Sequence, residues 1–293
     1  MKPLSQYFRN EDLQAHIARS LAEDLGQGPS AGDHSSAACL DPEVQGLGKL
    51  TAKENLIFAG RDVAESVLRA VNPRLRATWM VKDGQRMVPG EVAAEVRGSL
   101  PDLLGAERTL LNYVQRLSAV ATQSHRYASL IADLPCQLLD TRKTTPGWRM
   151  LEKWAVQAGG GSNHRIGLHD MIMLKDNHID LAGGITAAVE RCEHYLAAKE
   201  LNLAIEVECR SLADVKEALG LPSVNRIMLD NFNPEQCCEA VALNGGQKEL
   251  EASGGITRET LRRFAETGVD FISVGALTHS APSVDLNFKA QRI

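Results

Sequence analysis

The chain has 293 residues, with 32 Lys and Arg against 37 Asp and Glu, a net charge of −5. Its 44% hydrophobic and 24% charged residues are globular usage with enough length for a sizeable core, which excludes a disordered chain. The acidic balance argues against non-specific binding to nucleic acid or anionic membrane, while leaving room for a local basic pocket. Met1–Asn10 carries no apolar h-region, so no secretory signal is expected. No stretch approaches the roughly 18 apolar residues of a membrane span. Cys39, Cys136, Cys192, Cys209, Cys237 and Cys238 show no CxxC spacing. They read as reduced thiols of a cytoplasmic protein, not as a disulfide framework or zinc site.

Leu13, Ile17, Leu21 and Leu25 recur at helical spacing and predict a helix over 13–25. Residues 26–38 are rich in Gly, Ser and Asp and read as a loop. Strand-like runs follow at 48–53, 77–81 and 92–96, with a helix over 62–70. This first part is mixed α and β without regular alternation. Pro101 opens a long helical stretch. There Leu103, Leu110, Val114, Leu117 and Ala121 fall three, four or seven apart and bury one face.

From Cys136 onward the rhythm changes. Short apolar runs at 137–141, 171–174, 203–209, 225–230, 248–253 and 270–274 read as strands. Helical patterns lie between them near 147–158, 184–199, 211–219, 234–243 and 257–267. Strand–helix alternation means a parallel sheet with helices outside it. Six strands are two short of a full barrel, so an open, incomplete α/β barrel is expected. A doubly wound sheet is the alternative, but no dinucleotide glycine fingerprint follows the first strand.

In parallel α/β folds ligands bind at the C-terminal ends of strands. The first of the six strands ends in Thr141-Arg142-Lys143-Thr144-Thr145-Pro146-Gly147. Gly159-Gly160-Gly161-Ser162-Asn163-His164-Arg165 precedes the second, which ends in Lys175-Asp176-Asn177-His178. Residues 141–169 hold five Lys or Arg (142, 143, 149, 153, 165), two His and one acid, Glu152. Such a cluster at strand ends predicts a cationic pocket for an anionic substrate, with Arg binding carboxylate or phosphate bidentately. The plainer alternative for a charge run is a solvated basic face.

Glu206 and Glu208 lie two apart on the third strand and share one face. Buried carboxylates are costly unless paired or bound to metal. Glu208 and Asp230, at the end of the fourth strand, are therefore candidate ligands of Mg²⁺ beside substrate phosphates. The competing reading pairs one glutamate with a barrel Lys or Arg. Ser253-Gly254-Gly255 after the fifth strand, with a helix near Thr257, predicts a phosphate cradle of backbone N–H groups. Gly275–Ser280 after the sixth strand is the second half of that cradle. No Ser or Cys sits in a nucleophile elbow near His164, which favours electrostatic stabilisation of a dissociating sugar phosphate over covalent catalysis.

The ordered strings Glu107-Arg108, Leu111-Asn112, Thr141–Gly147, Gly159–Arg165, Leu174–Ile179, Glu206–Glu208, Leu229–Phe232, Ser253–Ile256 and Gly275–Pro282 resemble the quinolinate phosphoribosyltransferases. Glu23-Asp24-Leu25-Gly26 and Gly32-Asp33 look like that family's opening. The resemblance implies transfer of phosphoribose from phosphoribosyl pyrophosphate to quinolinate, with loss of CO₂, in NAD biosynthesis. It implies an N-terminal α/β sandwich domain (residues 1–114), an open α/β barrel (115–280) and a C-terminal tail (281–293) that packs back on the first domain. By the same match, Arg108, Arg142, His164, Arg165 and Lys175 surround quinolinate. Lys143, Asp176, Glu208, Asp230, Ser253, Gly254, Gly255, Gly275 and His279 contact phosphoribosyl pyrophosphate, with Mg²⁺ as cofactor at Glu208 and Asp230. Arg108 is expected to cross to the neighbouring subunit's site in a homodimer or larger assembly, with no nucleic-acid or membrane partner. The loop 27–34 is longer than the family's turn, and His34 stands where an apolar residue is common. Two other readings are a related protein associated with molybdenum transport and a non-catalytic phosphate-sensing barrel protein.

Overall fold

The computed structural model describes residues 2–293. Cα packing divides it into two compact units. One holds the described chain up to His125 together with Met150–Gly160 and Ala281–Ile293; the other holds Arg126–Arg149 and Gly161–Ser280.

The first unit is built on a four-stranded antiparallel sheet in the order Leu286–Arg292, Gln45–Ala52, Val92–Ser99, Arg76–Trp79. The C-terminal strand pairs with Gln45–Ala52, with Leu50 opposite Phe288, so the tail does return to the N-terminal sheet. Gly48 is needed beneath that strand, because a Cβ there would overlap the Phe288 ring. The helix Asn10–Leu25 buries Leu13, Ile17 and Leu21, and Arg61–Val71 buries Val63, Ala64, Val67 and Leu68. Each such side chain contributes about 1.5–3 kcal/mol when fully removed from water. The helix Leu100–Ala128 buries Leu103, Leu110, Val114, Leu117 and Ala121, the stripe its spacing predicts.

Two expectations are corrected here. Residues 26–38 are not all loop: His34–Cys39 is helical, started by Asp33, whose carboxylate accepts the Ser36 backbone N–H at 3.1 Å. That Asp-x-x-Ser signal is an N-cap hidden in a Gly/Ser-rich stretch. Within the longer loop, a His34 ring nitrogen lies 3.0 Å from the Ser30 carbonyl. The helix Arg149–Ala158, assigned from sequence to the barrel rhythm, belongs from Met150 onward with the first unit. Its Glu152 accepts from Arg116 at 2.6 Å, and Lys153 and Trp154 are almost wholly buried. Lys153 therefore does not join a strand-end pocket.

The second unit is a six-stranded parallel sheet in the order Gln137–Leu139, Phe271–Ser273, Glu249–Ser253, Val224–Asp230, Ile205–Cys209, Ile172–Leu174. The first and last strands of this order are not paired with each other, so the barrel is open between its first and second strands in the chain. Ile205–Cys209 is buried along its whole length, as expected of a strand covered on both faces. Helices Ile185–Lys199, Leu212–Leu219 and Pro234–Asn244 follow the sequence rhythm. The last begins at a capping box in which Asn233 and Gln236 satisfy each other's backbone N–H groups. The helix after Gly254-Gly255 starts at Leu261 rather than near Thr257, because 258–260 form a turn first. Asp176–Ala182 and Ala276–His279 are short helices that sequence periodicity is too brief to reveal.

Candidate active site

The C-terminal ends of the six parallel strands surround a cavity of about 760 Å³. Its walls include Arg142, Lys143, His164, Arg165, Lys175, Glu208, Asp230, Ser253, Gly254, Gly255, Gly275 and His279. Twelve of the fourteen site residues expected from sequence and resemblance thus meet in one place. The two outside are Asp176 and Arg108. Asp176 opens a short helix and accepts the Asn177 N–H at 2.7 Å. Arg108 is exposed on the helix Leu100–Ala128 of the other unit.

Of the five cations counted in 141–169, only Arg142, Lys143 and Arg165 line the cavity. Arg149 turns instead to the Thr144 hydroxyl at 3.2 Å and the Ile166 carbonyl at 3.3 Å, bracing the loop. Burial, and next the charge of Arg142, hold the Arg165 guanidinium below its ordinary range. Two guanidiniums crowded in this way call for an anion. The buried Nε of Arg142 has no hydrogen-bond partner among the described residues, which a carboxylate oxygen would supply.

The cavity also carries carboxylates. Glu208 is buried and accepts from Lys175 Nζ at 2.9 Å. Burial, and then the charge of Glu208, push the Asp230 carboxyl above the usual carboxylate range. Two carboxylates close enough to repel fit a divalent cation, since one Lys offsets only part of their charge. Asn231 donates to Asp230 at 2.8 Å.

Gly254 and Gly255 both have positive φ, +99° and +61°. A Cβ on Gly254 would overlap Asn231 Oδ1 and lie 2.9 Å from the Asn231 backbone nitrogen. Asn231 is itself left-handed at φ +57° and donates its N–H to the Ser253 carbonyl at 2.8 Å. Two strand-end loops are therefore interlocked, with no room for a side chain at Gly254. Between two neighbouring strands, the Thr278 hydroxyl donates to the Lys143 carbonyl at 2.7 Å and ties the first strand's loop to the last's.

His164 lines the cavity but is buried, with its ring held between protein groups. Its Nε2 lies 3.1 Å from Glu206 and 3.2 Å from Glu251, both carboxylates being fully buried. The Arg165 backbone N–H donates to Nδ1 at 2.7 Å. Burial alone would lower the imidazole, but hydrogen bonds to Glu206 and Glu251 oppose it and favour a proton on Nε2. A second ring proton is opposed by the N–H already aimed at Nδ1. Nε2 therefore carries the ring's proton, and burial raises the neighbouring Glu206 carboxyl above its ordinary range. Glu206 does not line the cavity; it is the partner of His164, with Arg165 feeling its charge. The competing reading, a glutamate paired with a barrel Lys or Arg, describes Glu208, which pairs with Lys175 while still facing the cavity; Glu206 pairs with a histidine instead.

Sequence reasoning missed Glu251, Asn231 and Asp140. The Glu249-Leu250-Glu251 alternation carried the same period-two signal as Glu206 and Glu208. Asp140 is fully buried and accepts from Asn163 at 2.6 Å and from the His164 N–H at 2.9 Å, fixing the loop that enters the cavity.

Two family models match the chain, the quinolinate phosphoribosyl transferase N-terminal domain over residues 33–118 and its C-terminal domain over 120–289. A chloroplastic carboxylating nicotinate-nucleotide pyrophosphorylase of Arabidopsis thaliana is 42% identical over 292 residues, 95% of this chain and 82% of that one. The crystal structure of NadC from Streptococcus pyogenes matches with a TM-score of 0.91 at 36% identity, covering 98% of this chain and 99% of that one. The nicotinate-nucleotide pyrophosphorylase from Francisella tularensis matches with a TM-score of 0.88 at 35% identity, over 97% and 98%.

Proposed function

We propose a division of labour within the cavity of this chain, which belongs to the quinolinate phosphoribosyltransferase family. The activity is transfer of phosphoribose to quinolinate with decarboxylation, in NAD biosynthesis. The molybdenum-transport and phosphate-sensing readings are not favoured by relatives that carry the names of pyrophosphorylases. No helix among the described residues is long and apolar enough to cross a membrane.

One observation carries the assignment of residues: a single cavity holds both a cationic set, Arg142, Lys143 and Arg165, and an acidic pair, Glu208 and Asp230, with Lys175 bonded to Glu208. In our reading Arg142, Arg165 and Lys175 receive the two carboxylates of quinolinate, with His164 beneath them. Lys143, Ser253, Gly254, Gly255, Gly275 and His279 hold the phosphoribosyl pyrophosphate. Asp176 sits close along the chain to join them when substrate is bound. Glu208 and Asp230 would hold Mg²⁺, which supplies neutralisation of the pyrophosphate charge when bound.

The bond from sugar C1 to the pyrophosphate oxygen breaks, and its electron pair leaves with pyrophosphate. The quinolinate ring nitrogen donates its lone pair to C1, and the ring becomes cationic. Loss of CO₂ then leaves an electron pair on the ring carbon beside that cationic nitrogen, and a proton completes the C–H bond. The chain's own part is to orient both anions and to stabilise charge in a site screened from water. No side-chain nucleophile is required.

Arg108, exposed and remote in sequence from the strand ends, completes a neighbouring subunit's site in our reading, which makes the active unit a homodimer or larger. We place the enzyme in the cytoplasm, in keeping with six free cysteines. The test is pyrophosphate release with quinolinate and, as control, nicotinate. Quinolinate is expected to turn over and nicotinate to fail, because one missing carboxylate leaves a half-buried guanidinium of the pocket unpaired. Equal turnover of both would remove quinolinate as the substrate.

A further inference from the structure

The interior of the parallel sheet holds a chain of charged side chains that substrate binding at the cavity wall does not directly use. Arg226, on the strand Val224–Asp230, stands opposite Glu249 and Glu206 in the register of its two neighbours. Its guanidinium reaches Glu249 at 2.9 Å and Glu251 at 3.2 Å, and lies 3.9 Å above the centre of the Phe271 ring. The same Glu251 oxygen lies 3.2 Å from His164 Nε2. The other ring nitrogen of His164 accepts the Arg165 N–H at 2.7 Å. The Arg165 guanidinium is steadied by the Met171 carbonyl at 3.2 Å and lines the cavity.

We propose that Glu251 is a positioning residue for the dicarboxylate substrate: through His164 it fixes the backbone turn that aims Arg165 into the cavity. Both ring nitrogens of His164 are committed to protein partners, so the ring serves as a strut between Glu251 and Arg165. Its neighbour Asp140 accepts the His164 N–H at 2.9 Å and secures the preceding peptide. Arg226 keeps Glu251 from standing alone as a buried charge, which is costly. The cluster of His164, Glu206 and Glu251 also has the donor types of a metal site. The guanidinium already touching Glu251 disfavours a second cation there.

The inference rests on Arg165 binding quinolinate, so quinolinate affinity of the unaltered enzyme is measured first by calorimetry. Absence of binding there overturns the proposed substrate assignment itself. With binding established, Glu251→Gln is expected to weaken quinolinate binding at least tenfold, with the KM for phosphoribosyl pyrophosphate within twofold. In an Arg165→Ala background the same substitution is expected to have less than a twofold effect, because its route of action is gone. Equal affinity in Glu251→Gln, or an undiminished effect in the Arg165→Ala background, overturns the positioning role alone. Should Glu251→Gln not fold, nitrogen NMR of the His164 ring in the unaltered enzyme decides. The proton stays on Nε2 and Nδ1 stays an acceptor with quinolinate bound if the ring is a strut. A proton moving to Nδ1 on binding, or a metal ion held by His164, Glu206 and Glu251, overturns it.

Discussion

Lys175 Nζ donates to Glu208 Oε2 at 2.9 Å, so a cation expected to bind one substrate is bonded to a carboxylate expected to serve the other. The Lys175 side chain is 46% exposed and that of Glu208 only 9%. The carboxylate is thus the buried member, and the lysine swings over it from the mouth of the cavity. A half-exposed pair of this kind contributes about 1 kcal/mol or less to stability. Its weight lies in charge placement. Glu208→Gln frees Lys175 and lowers the negative charge beside Asp230. We expect kcat/KM for phosphoribosyl pyrophosphate to fall at least tenfold while quinolinate still binds. Separate kinetics with each substrate varied will tell; a loss confined to quinolinate would reverse the assignment.

Asp230 is raised by burial and by the charge of Glu208, and in the proposed reading the two carboxylates share a divalent cation. Turnover is therefore expected to require Mg²⁺ or Mn²⁺ and to stop in excess EDTA. Asp230→Ala should raise the KM for phosphoribosyl pyrophosphate and leave quinolinate affinity near its original value. Full activity in EDTA would contradict the metal assignment.

Much of this site was legible because its residues sit at the ends of short apolar runs, where a parallel sheet must present them. Arg142, Lys143, Lys175, Glu208 and Asp230 are found that way. Contacts between different strands were not legible. Glu251 and His164 are 87 positions apart in the chain, and only the sheet order brings them together. The helix Arg149–Ala158 reads as amphipathic in either unit, so periodicity alone could not say which core it joins. His34–Cys39 is too short for periodicity and was visible only through its Asp33 cap. Asn231 was hidden because its role lies in its backbone conformation, which composition does not report.

Gly254 offers a test of the interlocked loops. A methyl group there collides with Asn231, and φ of +99° is strained for any L side chain. Gly254→Ala is expected to cost about 1–3 kcal/mol of stability. It should also raise the KM for phosphoribosyl pyrophosphate more than tenfold, since Asn231 must move and carries Asp230 with it. Thermal unfolding and steady-state kinetics give the two readouts. Unchanged kinetics with lowered stability would separate the loops from phosphate binding.

Arg108 is exposed on a helix of the first unit, and a surface arginine there needs no function to explain it. The functional reading makes a sharper demand. If one subunit lends Arg108 to the next across a two-fold axis, each site needs residues from two chains. Arg108→Ala should then nearly abolish activity while the fold and the assembly survive. Lys175→Ala should do the same from within the cavity. Mixing the two inactive proteins under conditions that allow subunits to exchange creates hybrids. In a hybrid dimer one site lacks both residues and the other has both. Random exchange at equal amounts makes about half the dimers hybrid, so recovered activity should approach about a quarter of the original. A fully active monomer, or verified hybrids with no recovered activity, would rule out the shared site and leave Arg108 a surface residue.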